Sequence, residues 1–359
     1  MPSSTSSSEL RRPPPGRWRA TWLGALALAA CSLGLLEQLS RARGQRPSVV
    51  DDPVLWSFAR RDVGDRPSTV ALLGASRMAL AYSPRAFAEA APELRAVQLA
   101  INGNLPLTVL ADLADDDGFH GVAVVDLIEP EIADPLLATD SQAYVARYHA
   151  LWRAPGALAN RYLASLAQSE FAVLAIGGSR IVRSLLGSRR WPGPAWVASD
   201  RDRVSSADFT LATRATLAQR AERRLAQLPH APPPAAWLAI VDRELAPLVA
   251  RIRARGGDVV IVHLPISGGL AARVDAEYPR AAYWDQLAAH SGARTIHFRD
   301  VPAMAHLVCP DEMHLDERDQ ATFTRALVGA LRAAGVLSGR EAQRGPSSSW
   351  SAPGRRSAQ

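Results

Sequence analysis

The chain has 359 residues, enough for one large α/β domain or two smaller ones, each with a proper core. Hydrophobic residues make up 48% of it, which is too few for a protein that crosses a membrane many times. The net charge of +6 comes from the two ends, because residues 48–337 hold 30 Arg against 32 Asp and Glu. A body so close to neutrality argues against a phosphate-binding surface, and no nucleic-acid partner is expected.

The N-terminus predicts a membrane anchor. Residues 1–16 are rich in Ser and Pro and predict a disordered cytoplasmic tail. An uncharged run from Ala20 to Leu36 follows, at the short end of the length that spans a bilayer. Four basic side chains precede it, namely Arg11, Arg12, Arg17 and Arg19. The positive-inside rule then makes 17–39 a transmembrane signal anchor in the cytoplasmic membrane, with the main domain extracytoplasmic, in the periplasm.

A second type of anchor stays open. Leu28–Cys31 resembles a bacterial lipobox, in which Cys31 would become a lipidated N-terminus. The apolar run continues past Cys31, which favours an uncleaved helix. The other cysteine, Cys309, lies in the domain and has no disulfide partner there. No pair of His or Cys has recognised zinc-ligand spacing together with a plausible third partner, so neither a metal nor another cofactor is expected.

The exported body, 48–337, predicts alternating strands and helices. Apolar runs bounded by turn residues predict strands at Thr69–Leu73, Leu94–Ile101, Gly121–Leu127 and Asp258–Leu264. Helical periodicity predicts helices at Pro53–Arg61, at Trp237–Arg255 and at Thr322–Ala334. This alternation predicts a parallel sheet in a three-layer α/β domain. A long insertion at about 132–234 is expected to cover one end of the sheet, and 338–359 is expected to be disordered.

Ser76 is the candidate nucleophile. The first predicted strand runs into Gly74-Ala75-Ser76-Arg77, which places Ser76 at the carboxyl end of a strand, where open α/β sheets form their sites. Its N–H would lie near a helix start and could help to bind an oxyanion. Gly-x-Ser turns are common, so this pattern alone is weak. A second strand-Gly-Gly-Ser pattern at Phe171–Ser179 makes Ser179 a rival nucleophile.

Asp311 and His314 are the candidate acid and base. An Asp three residues before a His can bind imidazole Nδ1 and leave Nε2 free to act toward a serine. The alternative is a helix-capping Asp beside an incidental surface His. His263, on the fourth predicted strand, is interpreted as a packed core histidine. Ser267-Gly268-Gly269 after that strand either lines the cleft or forms a turn.

Taken together, these features resemble the SGNH/GDSL hydrolase superfamily over roughly residues 67–335. Ser76 falls on that family's first block, Gly103 on its second, and Asp311 with His314 on its fifth. More narrowly, the motifs GASR, HLPISGG and DEMHLD look like those of membrane-tethered SGNH-like proteins of bacterial envelopes, some of which act in acylating alginate or other cell-surface polymers.

The resemblance implies a flavodoxin-like α/β/α fold and a serine-dependent ester hydrolase or O-acyltransferase. It also implies an acyl ester or acylated polysaccharide as substrate, and it allows a membrane acyltransferase as partner. A non-catalytic SGNH-like envelope protein that binds a glycan or a partner is the alternative function.

One departure from the family pattern motivates that alternative. The family's third block supplies an Asn as oxyanion donor, whereas the third strand here leads into Ile128-Glu129-Pro130. Asn102 or Asn104 could replace that donor, or both could simply form a turn. Arg77 is expected either to pair with Asp126 or Glu129 and brace the Ser76 turn, or to be exposed.

Overall fold

The computed structural model describes residues 17–133, 139–151, 154–176, 181, 186–187, 191 and 193–337. Ser179 and the two predicted disordered tails lie outside the described residues, so these predictions have no structural counterpart. The chain divides into two compact units. The first comprises Met1–Pro47 and Phe171–Pro194, and the second comprises Ser48–Glu170 and Ala195–Gln359.

The first unit contains the helix Arg17–Ala42 and the short helix Val173–Ile176. The stretch Trp18–Ala42 is long and apolar enough to cross a membrane, and only 6% of its most apolar 18-residue segment is buried. The Glu37 carboxylate, near the end of the long helix, accepts hydrogen bonds from the Ala172 and Val173 N–H groups at 3.0 and 2.9 Å. That carboxylate therefore joins the two helices of this unit.

The second unit is built on a parallel sheet. Its strands are β1 (Thr69–Leu73), β2 (Arg95–Gln98), β3 (Val122–Asp126), β6 (Asp258–His263) and β7 (Arg294–His297), while β4 (Val197–Ser199) and β5 (Ser205–Ala207) form a separate antiparallel pair. The sheet order is β2-β1-β3-β6-β7, with every pairing parallel. Five parallel strands in the order 2-1-3-4-5 make a flavodoxin-like doubly wound fold, so the predicted fold class is confirmed.

Strand side chains alternate between two apolar cores. Ala71 and Leu73 of β1 face one core, and Val70 and Leu72 face the other, as the two-residue period of a strand requires. One core is covered by Pro53–Asp62, Leu107–Asp115, Pro234–Ala254 and Trp284–Ser291. The other is covered by Ser76–Ala81, Pro84–Ala90, Gly268–Glu277, Pro302–Ala305 and Gln320–Ala333. The sheet thus lies between two helical layers, as the alternation predicts.

Two features differ from the prediction. The sequence does not predict strand β7. It has only four residues, and because the first two are half-buried it lacks the apolar alternation that indicates a strand. The predicted helix Trp237–Arg255 is present from Pro234 to Ala254, but it contains a π-helical turn at Val241–Leu245. Pro247 follows that turn and lacks the N–H that would continue the α-helical pattern.

Within the predicted insertion, the second unit holds the helices Thr139–Ala150, Pro155–Glu170 and Arg214–Gln227 together with the β4–β5 pair. Helix Glu129–Ala133 leads into this region from β3. The extent of the insertion and its expected role as a cover for the sheet remain predictions.

Candidate active site

The turn that carries Ser76 depends on close packing at Gly74. A Cβ added to Gly74 would lie 2.8 Å from the Met78 Cβ and 2.9 Å from the Asp126 Cβ, so no larger residue fits between them. The helix Ser76–Ala81 begins at Ser76 itself. The first N–H groups of a helix have no intrahelical partner, so the Ser76 N–H lies beside its own hydroxyl as a donor for a bound oxygen.

The structure brings the three predicted catalytic side chains together. The Ser76 hydroxyl lies 2.7 Å from His314 Nε2, and His314 Nδ1 lies 2.8 Å from Asp311 Oδ2. Asp311 Oδ1 accepts hydrogen bonds from the Met313 and His314 N–H groups at 3.1 and 2.8 Å. The carboxylate is therefore held by its own loop while it faces the imidazole.

These contacts determine the tautomer of His314. A carboxylate can only accept, so Nδ1 of His314 carries the proton that Asp311 receives as a hydrogen bond. Nε2 is then left with its lone pair directed at the Ser76 hydroxyl, which donates to it. This is the arrangement in which a histidine can remove a proton from a serine.

The local electrostatics keep Asp311 charged and His314 neutral. Burial opposes the charge on Asp311, but the hydrogen bonds from the His314 ring and backbone, helped by the Arg224 charge, outweigh burial and lower the Asp311 pKa to about 2. Burial lowers the His314 pKa and outweighs the opposing effect of Asp311, while Arg224 and Arg77 lower that pKa further. A neutral imidazole is the form that can act as a general base.

The Asp311 loop is fastened to the segment that follows β6. Ser267 N–H donates to the Glu312 carbonyl at 2.9 Å, and the Glu312 carboxylate accepts from the Gly269 and Leu270 N–H groups, each at 3.0 Å. Glu312 adopts φ +70 to do so. A Cβ on Gly268 would lie 2.5 Å from the Glu312 carboxylate. The Ser267-Gly268-Gly269 segment therefore holds the loop that carries Asp311 and His314.

Arg77 is buried and braces the turn after β3. Its guanidinium lies 3.0 Å from Asp126 and 2.7 Å from Glu131, and Glu131 also accepts from the Ile128 N–H at 3.0 Å. The expected pairing with Asp126 is present, whereas the second partner is Glu131 and not Glu129. Burial raises the Asp126 pKa to about 7, against the opposing charge of Arg77.

Glu129 instead lies beside a buried histidine. Its carboxylate is 3.4 Å from Nε2 of His263, whose Nδ1 is 2.9 Å from the Leu264 carbonyl. His263 is 1% exposed, as its interpretation as a core residue requires. The end of β3 and the turn that follows it, which contain no Asn, therefore hold buried acidic groups.

The predicted oxyanion residues form a turn beside the Ser76 segment. Ile101 N–H donates to the Gly74 carbonyl at 2.9 Å, and Asn104 N–H donates to the Ile101 carbonyl at 3.1 Å. Gly103 has φ +74, which suits glycine at that position of a turn. Asn104 is buried and its Nδ2 donates to the Asn102 carbonyl at 3.1 Å, whereas Asn102 itself is exposed.

This turn leaves specific N–H groups available as hydrogen-bond donors. Among the described residues, nothing accepts a hydrogen bond from the Gly103 N–H. The Asn104 backbone N–H is occupied, so Asn104 could contribute only through the second hydrogen of Nδ2. Oδ1 of Asn104 is also buried, and none of the residues that the structure describes donates a hydrogen bond to it. Both predicted roles of this asparagine, turn former and donor, are compatible with these contacts.

Two residues that hold the Asp311 loop in place, Glu312 within the loop and Arg224 outside it, could not be identified from the sequence. Glu312 lies inside the motif DEMHLD, but nothing in that motif predicts that it caps a distant helix. Arg224, on the helix Arg214–Gln227, donates to the Asp311 carbonyl at 2.9 Å. One of four arginines in that helix, it carries no sequence signal that distinguishes it from the others. Among the described residues, no group of three or more His, Cys, Asp or Glu side chains could hold a metal ion.

The chain was compared with protein families, curated proteins and solved structures. No family model matches the chain, and no curated protein matches it. A solved structure titled "Crystal Structure of TesA" matches it at 13% sequence identity and a TM-score of 0.34, over 74% of this chain and 98% of that one. The fold assignment rests on the strand order of the sheet.

Proposed function

We propose that this protein is a serine-dependent ester hydrolase or O-acyltransferase of the SGNH type that acts on an acylated envelope substrate such as a polysaccharide. The observation that carries the proposal is the unbroken chain of hydrogen bonds from Ser76 through His314 to Asp311. Its order along the sequence, with the nucleophile after β1 and the acid–base pair close together before the last helix, is the SGNH order.

The chemistry follows from the tautomer. His314 Nε2 takes the hydroxyl proton as Ser76 Oγ attacks the acyl carbon, and Asp311 stabilises the imidazolium that forms. The alkoxide of the ester leaves as an alcohol after it receives that proton from His314, and the acyl group stays on Ser76. Water or a polymer hydroxyl then attacks the acyl-serine while His314 again acts as base. Water as acceptor gives hydrolysis, and a polymer hydroxyl gives transfer.

The N–H groups of Ser76 and Gly103, with Nδ2 of Asn104, are the proposed oxyanion donors. Removing one such donor from a serine hydrolase costs about 3–4 kcal/mol of transition-state stabilisation. If Asn104 does not replace the third-block Asn, the reaction is slower by a factor on the order of a hundred to a thousand.

The proposed location is the outer face of the cytoplasmic membrane. The helix Arg17–Ala42 supports it, since its length and composition suit a single span, and the arginines before it favour a cytoplasmic N-terminus. Attachment through a lipidated Cys31 is the alternative. An envelope position would place the site near acylated polysaccharide and near a membrane acyltransferase as partner.

A second candidate function is a non-catalytic protein that binds a glycan or a partner through the same cleft. Asp126 and Glu129, buried acidic groups where the SGNH pattern has an Asn, favour this candidate. Hydrolysis of p-nitrophenyl acetate by the purified full chain in detergent separates the two. Ser76→Ala should abolish turnover, whereas Ser169→Ala, which removes a hydroxyl that donates to the Leu166 carbonyl in the same helix, should leave it unchanged. Equal turnover by Ser76→Ala and the parent chain would rule out the proposed nucleophile.

The choice between hydrolase and transferase needs an intact envelope. Acetyl groups on the envelope polysaccharide are measured after deletion of the protein and after its replacement by the Ser76→Ala variant. A transferase predicts fewer acetyl groups in both strains, and a hydrolase predicts more. Normal acetylation with Ser76→Ala, together with a defect in the deletion strain, would favour the binding protein.

A further inference from the structure

The last part of the predicted insertion packs against both halves of the candidate site. Leu80, in the helix that begins at Ser76, packs with Ala207 and Phe209. The Phe209 N–H donates to the Asp316 carboxylate at 3.0 Å, two residues beyond His314, and the Glu317 N–H donates to the Ala207 carbonyl at 2.8 Å. The region around β5 therefore connects the nucleophile helix to the loop of the acid and the base.

The helix Arg214–Gln227 extends that connection to Asp311 itself. Its Leu217 packs against the same cluster as Leu80, and Arg220 lies over the ring of Trp196 at 4.5 Å. With the helix held in this way, Arg224 Nη1 donates to the Asp311 carbonyl at 2.9 Å, and Nη2 lies 3.8 Å from Asp311 Oδ2. Arg224 is thus the residue of this helix that contacts the triad.

The two arginines near the acid–base pair differ in their acidic partners. Asp311 is an anion beside His314, and Arg224 and Arg77 are cations that act on His314. Arg77 has Asp126 and Glu131 as its own partners. Arg224 has Asp311 as its ion-pair partner, and the charges of Glu312 and Arg220 also act on it. The Asp311 carboxylate therefore faces both a guanidinium and an imidazole. The nearby Cys309 thiol is neutral, because burial raises its pKa to about 12.

We propose that Arg224 is a positioning residue for the triad, which fixes the Asp311 backbone and shares the Asp311 charge with His314. This inference rests on the proposed function. Without Arg224, the whole Asp311 charge would act on His314 and stabilise the imidazolium. The base would then stay protonated to higher pH, and the loop would lose one of its anchors.

Three variants separate these two effects. Arg224→Gln removes the charge and shortens the donor, whereas Arg224→Lys keeps the charge but loses the geometry of the guanidinium. Arg223→Gln is the matched control, since it removes one exposed arginine from the same helix. The full chain in detergent is labelled with a fluorophosphonate probe from pH 5 to pH 9, and the labelling rate is fitted to a plateau and an acidic midpoint.

Arg224→Gln should move the acidic midpoint to higher pH and lower the plateau about tenfold, as expected when a catalytic loop loses its position. Arg224→Lys should keep the midpoint of the parent chain and lower the plateau. Arg223→Gln should change neither value. An Arg224→Gln midpoint equal to that of Arg223→Gln would overturn the inference. If Arg224→Gln does not fold, an Arg224→Lys plateau equal to that of the parent chain would overturn it.

A second readout keeps the inference separate from the proposed function. The His314 ring is titrated by NMR in full chain labelled at histidine, with the His314 signal assigned by its loss in His314→Gln. If the parent chain takes no label, the proposed function fails, but the titration still tests Arg224. The inference then requires His314 to titrate at higher pH in Arg224→Gln than in Arg223→Gln, and equal titration would overturn it.

Discussion

Replacing Asp311 by Asn tests the role of the acid with almost no change of shape. The Asn oxygen can still accept from the Met313 and His314 N–H groups, so the loop should keep its fold. The other branch of the side chain then presents an amide N–H to His314 Nδ1, where the parent chain has an acceptor. The imidazole must become an acceptor at Nδ1, which moves its proton to Nε2.

An Nε2–H imidazole cannot accept the Ser76 proton across the 2.7 Å contact. The equivalent exchange in a serine protease triad lowers kcat about 10⁴-fold through the wrong tautomer, and a loss on that order is expected here. It corresponds to about 5–6 kcal/mol of transition-state stabilisation.

The assay is the rate of p-nitrophenyl acetate hydrolysis at pH 8 by the full chain in detergent, with thermal unfolding measured on the same samples. Asp319→Asn is the matched control, since Asp319 lies in the same region and its side chain makes no capping hydrogen bond. Asp319→Asn should keep parent activity. Less than a tenfold loss in a folded Asp311→Asn protein would refute the assignment of Asp311 as the residue that sets the tautomer.

Three further predictions concern pH and packing. Burial lowers the His314 pKa below its usual 6.5, and the neutral imidazole is the base. The initial rate of ester hydrolysis should therefore rise with pH through a midpoint below 6.5. A midpoint well above 6.5 would contradict the burial argument. Gly74→Ala should lower the free energy of unfolding by about 1–3 kcal/mol, since its Cβ would meet Met78 and Asp126, and urea denaturation measures this loss. Glu312→Ala should cost about 1 kcal/mol in the same assay because two helix N–H groups lose their cap, and an unchanged midpoint would show that those groups find another partner.

The sequence predicts four of the five sheet strands because each is an apolar run closed by turn residues. β7 is not predicted because Arg294 and Thr295 are only half-buried, so its four residues lack a continuous buried pattern. The π-helical turn at Val241–Leu245 is not predicted either, because hydrophobic periodicity indicates which face of a helix is buried and not which hydrogen bonds form.

The triad candidates could be found from sequence because their spacing is local: Ser76 follows a strand directly, and Asp311 lies three residues before His314. Arg224 could not, because its partner is 87 residues away and the contact exists only after the helix Arg214–Gln227 packs beside the Asp311 loop. The contacts of Arg77 could be predicted in part. Its pairing with Asp126 follows from adjacent strand ends, whereas the choice of Glu131 over Glu129 depends on the path of one helical turn.

The measurement that tests the central claim most directly is fluorophosphonate labelling of the full chain, with the modified residue located by peptide mass spectrometry. The geometry predicts an adduct on Ser76 that disappears in His314→Ala, since only a serine activated by that imidazole should react. No adduct on any serine would contradict the claim and favour the binding protein, and an adduct on Ser179 would mean that the other strand-Gly-Gly-Ser pattern carries the nucleophile.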